Sequence, residues 1–137
     1  MLGNSAGAQR RLALVATIPV NGSPAPAVIV AGDDALWVTQ QNLGSVARID
    51  PASNEVVATI DTGLQWTGGI IVAESGVWVA DNSGSSAGVV RIDPTTNQVS
   101  AIIEQTSGNG VGIVESDGSI WVAELPVNQV VRINPTP

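Results

Sequence analysis

The sequence contains no cysteine, no histidine and no lysine, and these absences remove several classes of chemistry. Without cysteine there is no disulfide framework and no thiolate metal site. A serine nucleophile would have no ordinary base beside it, so acid–base chemistry falls to carboxylates alone. The sequence also has no glycine-rich phosphate-binding loop that opens a helix. We therefore expect a protein that is not an enzyme.

Positive charge is scarce, since five arginines face twelve acidic residues and the formal net charge is −7. An acidic surface repels phosphate backbones, and no basic amphipathic stretch would bind an anionic membrane. No apolar run approaches the length of a membrane-spanning helix. Residues 1–11 have no apolar region after a basic start, so no signal peptide is evident, and we expect a flexible tail there. The cellular compartment is not predicted.

Phenylalanine and tyrosine are also missing, and tryptophan is the only aromatic residue, with four copies. The core must therefore be built from Val, Ile, Leu and Ala. Valine and isoleucine favour strands because their branched Cβ atoms pack well on a pleated sheet. Fifteen glycines and eight prolines supply frequent turns. Together these features predict an all-β fold.

Two short motifs recur three times along the chain. The first is a tryptophan motif, with the sequences ALWVTQ at 35–40, GVWVAD at 76–81 and SIWVAE at 119–124. The second is an arginine motif, with the sequences VARIDP at 46–51, VVRIDP at 89–94 and VVRINP at 130–135. A period of about 42 residues with several short strands in each unit is typical of a four-stranded propeller blade.

Each repeat divides into four strands, named a to d in chain order. Strand a covers 27–31, 69–73 and 112–116, strands b and c carry the two motifs, and strand d covers 55–60 and 98–103. The sequence LALVATI at 12–18 matches strand d, whereas no strand d follows the last arginine motif. The predicted fold is a β-propeller unit over 12–137, with repeats at about 27–60, 69–103 and 112–135 and the strand order d-abcd-abcd-abc.

Three blades in an open row leave one blade face bare at each end. A bare apolar face as large as a whole blade is unusual on a soluble monomer. The strand at 12–18 would also lack a neighbour in its own chain, so its partner must be the last strand c of a second copy. We expect a homodimer that closes a six-bladed ring with 12–18 exchanged between the copies. A piece of a longer propeller and an open filament are the alternatives.

The repeats resemble those of streptogramin (virginiamycin B) lyases and related NHL-type propellers. The resemblance rests on LWVTQQN at 36–42 with VARIDP at 46–51, and on VWVADN at 77–82 with VVRIDP at 89–94. It implies a propeller fold over nearly all of 12–135. For the lyases it also implies a metal and a catalytic histidine, and this chain has no histidine. The lyase activity is therefore not carried over.

Two sets of residues are candidates for ligand contacts. Gln40, Asp81 and Glu124 stand three positions after the repeated tryptophans, where their oxygens could hold Ca²⁺ or Mg²⁺ at a channel mouth, or simply face solvent. Trp66 lies in a d–a connection and could stack on a small polar ligand, pack onto its own blade or fill the channel. Asn21 and Asn109 lie in the equivalent connections and could line the same face.

The repeated tryptophans and arginines are predicted to be structural. Trp37, Trp78 and Trp121 are expected to pack between blades. Arg48, Arg91 and Arg132 are each expected to donate a charged hydrogen bond to a neighbouring carboxylate or backbone carbonyl. The favoured function is a self-associating scaffold or binding module. The competing function is a metal-dependent hydrolase or lactonase with carboxylates around the channel.

Overall fold

A computed structural model describes residues 7–20, 26–84, 88–104, 109–125 and 127–136. These residues form eleven strands in three antiparallel sheets of four, four and three strands, which confirms the all-β prediction. The three sheets follow one another along the chain and do not close into a ring. Within the described ranges, no helix has the length and apolar character needed to cross a bilayer.

Each sheet is a simple meander in which neighbouring strands are consecutive in the chain. Sheet 1 contains β1 (Pro26–Ala31), β2 (Leu36–Gln40), β3 (Ser45–Asp50) and β4 (Glu55–Asp61). Sheet 2 contains β5 (Thr67–Ala73), β6 (Gly76–Asp81), β7 (Gly88–Asp93) and β8 (Gln98–Glu104). Sheet 3 contains β9 (Asn109–Ser116), β10 (Ser119–Leu125) and β11 (Gln129–Ile133).

The hairpins between the third and fourth strands of sheets 1 and 2 have the same turn geometry. Asn54 and Asn97 adopt left-handed backbone angles, with φ of 59° and 57°, a conformation that asparagine tolerates better than most residues. The backbone N–H of Asn54 donates to the Asp50 carbonyl, and that of Asn97 donates to the Asp93 carbonyl, at 2.9 Å in both turns. The repeated sequence Asp-Pro-x-x-Asn therefore builds one turn twice.

Strand alternation decides which neighbour each side chain meets, because successive residues point to opposite faces of a sheet. In sheet 1, Trp37 and Val46 face sheet 2 and pack there against Val79, Val90 and Ile92. In sheet 2, Trp78 and Val89 face sheet 3 instead. Their packing partners in sheet 3 are Ile113, Ile120, Val122 and Ile133. Both junctions thus join the tryptophan face of one sheet to a Val/Ile face of the next.

Glycine lets the first strands of sheets 2 and 3 approach each other closely. A Cβ atom placed on Gly69 would lie 3.0 Å from Ile113 Cγ2 and 3.2 Å from the Val111 carbonyl oxygen. Both distances are tighter than ordinary van der Waals contact. The sheets therefore converge at their first strands, and β5 and β9 form part of the junction.

The segment before sheet 1 contains none of the eleven strands. Residues 8–20 have no strand pairing, and Leu12, Leu14 and Val15 are exposed. Ile18 and Val20 nevertheless pack against the outer face of sheet 1. The strand expected at 12–18 thus has no ladder partner within the described residues of one chain, and the exchanged arrangement stays a prediction.

Candidate functional site

Among the described residues, each end of the row of sheets has an apolar face that no further sheet covers. We call the outer face of sheet 1 the N-face, formed by Ile29, Leu36, Val38, Ala47 and Ile49. We call the outer face of sheet 3 the C-face, formed by Gly112, Val114, Trp121, Val130 and Arg132. The N-face is a Val/Ile face and the C-face is a tryptophan face, so the two ends have the characters that meet at each internal junction.

The exposure of the C-face stands out when equivalent positions are compared. Val46, Val89 and Val130 each pair with the residue two positions after the tryptophan of their sheet. Val46 is 0% exposed and Val89 is 2% exposed, whereas Val130 is 65% exposed. At about 25 cal/mol per Å² of apolar surface, covering such a side chain is worth roughly 1–2 kcal/mol.

The N-face shows a similar contrast along the first strands. Ile29, Ile70 and Ile113 hold one ladder position, because they pair with Val38, Val79 and Val122 respectively. Ile70 and Ile113 are buried, and Ile29 is 60% exposed. A hollow of about 400 Å³ lies over this part of the N-face, and Ile18, Val20, Ile29, Val38 and Ile49 are among its lining residues.

The segment that ends at Val20 contacts the N-face in the same way as a fourth strand contacts the next sheet. Ile60, in β4, packs against Val79, Val90 and Ile92 of sheet 2. Ile18 packs against the equivalent N-face residues Val38, Ala47 and Ile49. Both isoleucines end the sequence Val-Ala-Thr-Ile, at 15–18 and at 57–60. Ile18 therefore contacts the N-face as Ile60 contacts sheet 2.

Each repeated arginine stacks over the tryptophan of its own sheet. The guanidinium carbon lies 4.9 Å from the ring centre in the Arg48–Trp37 pair and 5.6 Å in the Arg91–Trp78 pair. In sheet 3 the Arg132–Trp121 distance is 5.0 Å. All three distances are within the range of a cation–π interaction. The stack holds each guanidinium flat against the tryptophan face of its sheet.

Two of these arginines also reach the following sheet. Arg48 donates from Nη1 to the Pro94 carbonyl at 2.6 Å and to Asn97 Oδ1 at 2.7 Å, and it forms an ion pair of 3.1 Å with Asp34. Arg91 donates from Nη1 to the Pro135 carbonyl at 3.2 Å. The bonds to Pro94, Asn97 and Pro135 cross the two internal junctions, whereas the ion pair with Asp34 lies within sheet 1. Charged hydrogen bonds fix the register of the sheets as well as adding stability.

The strand-end residues considered for a metal are buried and bonded locally. Gln40 accepts from the Ser45 hydroxyl at 2.8 Å, and Glu124 accepts from the Gln129 amide at 2.6 Å. Asp81 accepts from both the amide and the hydroxyl of Ser83. Across the described residues, no three His, Cys, Asp or Glu side chains gather in a group that could hold a metal ion. Nothing in this geometry favours a Ca²⁺ or Mg²⁺ site.

Of the three residues considered for ligand contact, the structure describes the side chain of Trp66. That side chain is 47% exposed, and the Trp66 carbonyl accepts from the Asn82 amide at 2.8 Å. The backbone of this loop is therefore anchored to sheet 2, while its indole ring is accessible. Asn21 lies outside the described residues, and so does the side chain of Asn109.

The sequence did not reveal that three further features of the end sheets are equivalent to groups at the internal junctions. Ile29, Gly112 and the turn at 50–54 carry no motif of a binding site. Each is equivalent to a group that lies at an internal junction. The equivalent of Ile29 is Ile113, that of Gly112 is Gly69, and that of the 50–54 turn is the 93–97 turn. The repeat supplied that signal, but the sequence alone does not show which residues cross a junction.

Comparison with models of protein families identifies a family that covers most of the chain. The family described as "Domain of unknown function (DUF5074)" matches residues 20–137. Comparison with curated proteins gave no match.

Proposed function

This chain belongs to the DUF5074 family, and from that premise we propose that it is a half β-propeller that self-associates to form a scaffold or binding module. Its three sheets act as propeller blades, and two copies close a six-bladed ring. The C-face of each copy covers the N-face of the other. The repeats' resemblance to streptogramin lyases and NHL-type propellers supports the blade assignment and carries no activity, since the chain has no histidine.

The observation that carries this proposal is the complementarity of the two end faces. Both internal junctions bring a tryptophan face onto a Val/Ile face. The two end faces are one face of each kind, and neither meets a further sheet in the described chain, so a C-face and an N-face from two copies can repeat the internal junction. A face that is complementary to another face, rather than to itself, forms a ring if the rotation closes.

The geometry of a propeller supports a ring of two copies. In a six-bladed ring each blade turns by about 60°, so three blades span about half a circle, and natural propellers have roughly four to eight blades. Two copies then close with a twofold axis. Residues 12–18 of each copy would pair with β11 of the other as the fourth strand of its sheet 3. The placement of Ile18 over the N-face supports this, because strand d lies there relative to the next sheet.

The accessible indole of Trp66 supports a ligand-binding role for the six-bladed assembly. An aromatic ring exposed on a loop between two blades can stack on a flat polar ligand, such as a sugar. The residues considered for a metal do not support the hydrolase alternative, since Asp81 and Glu124 are engaged within their own sheets. We therefore propose assembly as the function and a small polar ligand as its further partner.

Solution mass tests the proposal, with two matched variants. Light scattering after size exclusion should give the mass of two copies of the 13.9 kDa chain. Val130→Asp places an uncompensated charge on the C-face and should give a folded monomer, because burying an unpaired carboxylate costs several kcal/mol. Ile102→Asp is the control, because Ile102 is 62% exposed in sheet 2 and lies on neither end face.

The outcomes separate cleanly. A dimer that is lost in Val130→Asp and kept in Ile102→Asp supports the proposal. A wild-type chain that is monomeric at high concentration contradicts it, and a mass that rises continuously with concentration indicates an open filament instead.

A further inference from the structure

Building on the proposed self-association, we infer that Arg132 of one copy docks on the 50–54 turn of a second copy, where it donates to the Pro51 carbonyl and the Asn54 side-chain oxygen. The docked pair would be the polar part of the junction between copies. We call it the Arg–turn contact. Both internal junctions contain an equivalent contact, made by Arg48 and by Arg91. Among the described residues of one chain, Arg132 bonds to no other sheet.

The first precedent lies between sheets 1 and 2. Arg48 crosses the junction and bonds both the Pro94 carbonyl and Asn97 Oδ1, at 2.6 and 2.7 Å. Pro94 and Asn97 belong to the Asp-Pro-x-x-Asn turn of sheet 2. The guanidinium thus donates to one backbone oxygen and one side-chain oxygen of the same turn. Its fixed, planar donors suit this geometry.

The second precedent lies between sheets 2 and 3. Arg91 donates to the carbonyl of Pro135, the last residue of the third arginine motif, as Pro94 is the last residue of the second. The bond is longer, at 3.2 Å, and Arg91 also donates from Nε to the Ser100 hydroxyl in its own sheet. At both junctions, therefore, an arginine donates to the carbonyl of the proline that ends the next arginine motif.

The donor is Arg132 on the C-face, which bonds only within sheet 3 among the described residues. It stacks on Trp121 as Arg48 and Arg91 stack on their tryptophans, so the guanidinium is held on the outward face of sheet 3. Its Nε donates to Ser119 Oγ at 2.9 Å, within the same sheet. Among the described residues, its terminal Nη groups bond to no other sheet.

The unoccupied acceptor is the 50–54 turn beside the N-face. It repeats the geometry of the turn that receives Arg48, since Asn54 and Asn97 share the left-handed conformation. The strand-end carboxylates also bind the turn alike, with Ala52 N to Asp50 Oδ1 at 2.9 Å and Thr95 N to Asp93 Oδ1 at 2.8 Å. Pro51 and Asn54 are both exposed.

A hollow beside this turn leaves room for the arriving side chain. It measures about 340 Å³ and is lined by Ile18, Pro19, Asn54, Glu55 and Val56. It adjoins the segment that covers the N-face. The acceptor oxygens, the space beside them and the apolar face thus occur on one side of sheet 1, as the corresponding groups do on the side of sheet 2 that meets sheet 1.

The test measures the dissociation constant of self-association by dilution in sedimentation experiments on the full chain. Arg132→Ala should weaken association about 100-fold, because a twofold ring contains the Arg–turn contact twice and each copy loses a charged hydrogen bond. Asn54→Asp keeps the turn, since aspartate also tolerates the left-handed conformation. It gives Arg132 a charged acceptor and should tighten association several-fold.

The double variant decides whether the two residues meet. If they do, Asn54→Asp tightens association in the wild-type background and gives no gain when Arg132 is alanine. Asn97→Asp is the matched internal control. It changes the equivalent turn that binds Arg48, so it should stabilise folding without tightening association. An equal effect of Asn54→Asp with and without Arg132 would overturn the inference, even where the wild-type dimer upholds the proposed function. A wild-type monomer would refute both.

Discussion

Sheets 2 and 3 contain the same four residues, Val-Val-Arg-Ile, at 89–92 and at 130–133, yet the first valine is buried in one sheet and exposed in the other. Sheet 2 has a neighbour on both faces, and sheet 3 has a neighbour only on the face that carries Ile133. The sequence of a strand therefore does not determine its burial in this molecule. The neighbouring sheet does, since Val89 lies under sheet 3 and no described sheet lies over Val130.

The tryptophan pair gives the largest expected difference between the two sheets. Trp78 is fully buried between sheets 2 and 3, so Trp78→Ala should lower the free energy of unfolding by about 3–5 kcal/mol through lost burial and the cavity left behind. Trp121 is only partly buried, so Trp121→Ala should cost less than half as much in a monomer. Urea denaturation in the Val130→Asp background measures both without a contribution from association.

Equal losses at the two positions would contradict the comparison. They would mean that the C-face is covered within the single chain, and that sheet 3 does not differ from sheet 2 in its surroundings.

Gly69 in β5 and Gly112 in β9 allow sheets 2 and 3 to be compared at their first strands. Gly69→Ala should destabilise the fold by about 1–3 kcal/mol, because the new methyl group meets Ile113 at 3.0 Å in the next sheet. A Cβ atom on Gly112 would meet only Ala123 Cβ, at 3.8 Å. Gly112→Ala should therefore leave monomer stability unchanged to within about 0.5 kcal/mol and weaken self-association, since Ile29 of the second copy would occupy that space. Thermal unfolding and solution mass measure the two effects separately.

A loss of stability in Gly112→Ala as large as that in Gly69→Ala would show that the space beside Gly112 is already filled. An unchanged dimer in Gly112→Ala would remove Ile29 from the junction.

The strands could be predicted from the sequence because each repeat carries its own local signals. The tryptophan and the arginine recur with a period of about 42 residues, and the Asp-Pro-x-x-Asn turn separates the third strand from the fourth in sheets 1 and 2. Each of these signals acts over a few residues. The all-β fold follows from them without knowledge of how the sheets pack.

The junctions could not be predicted in the same way because their contacts join residues from different repeats. Arg48 and Asn97 are more than forty residues apart, and nothing in either motif names the other. The first strands show the same limit. Matching 27–31 with 69–73 by sequence pairs Val28 with Ile70, whereas the ladders align Ile29 with Ile70. These strands are apolar on both faces, so no alternation of polar residues fixes their register.

The smallest expected effect concerns the turn at 50–54, which is unoccupied, against the turn at 93–97, which binds Arg48. The Ala52 amide and the Ser53 hydroxyl donate to the Asp50 carboxylate, and they lower its pKa below the ordinary value of 3.8. A carboxyl group whose pKa is lower in the folded state stabilises the fold above its unfolded pKa, and that stabilisation is lost as the pH falls through the folded value. Asp50→Asn should therefore lower stability slightly near neutral pH and flatten its decline below about pH 4. Ser53→Ala removes one donor and should raise the Asp50 pKa part of the way back, as measured by carbon NMR titration of the carboxyl group. An Asp50 pKa at or above 3.8 in the wild-type chain would show that these two hydrogen bonds do not form in solution.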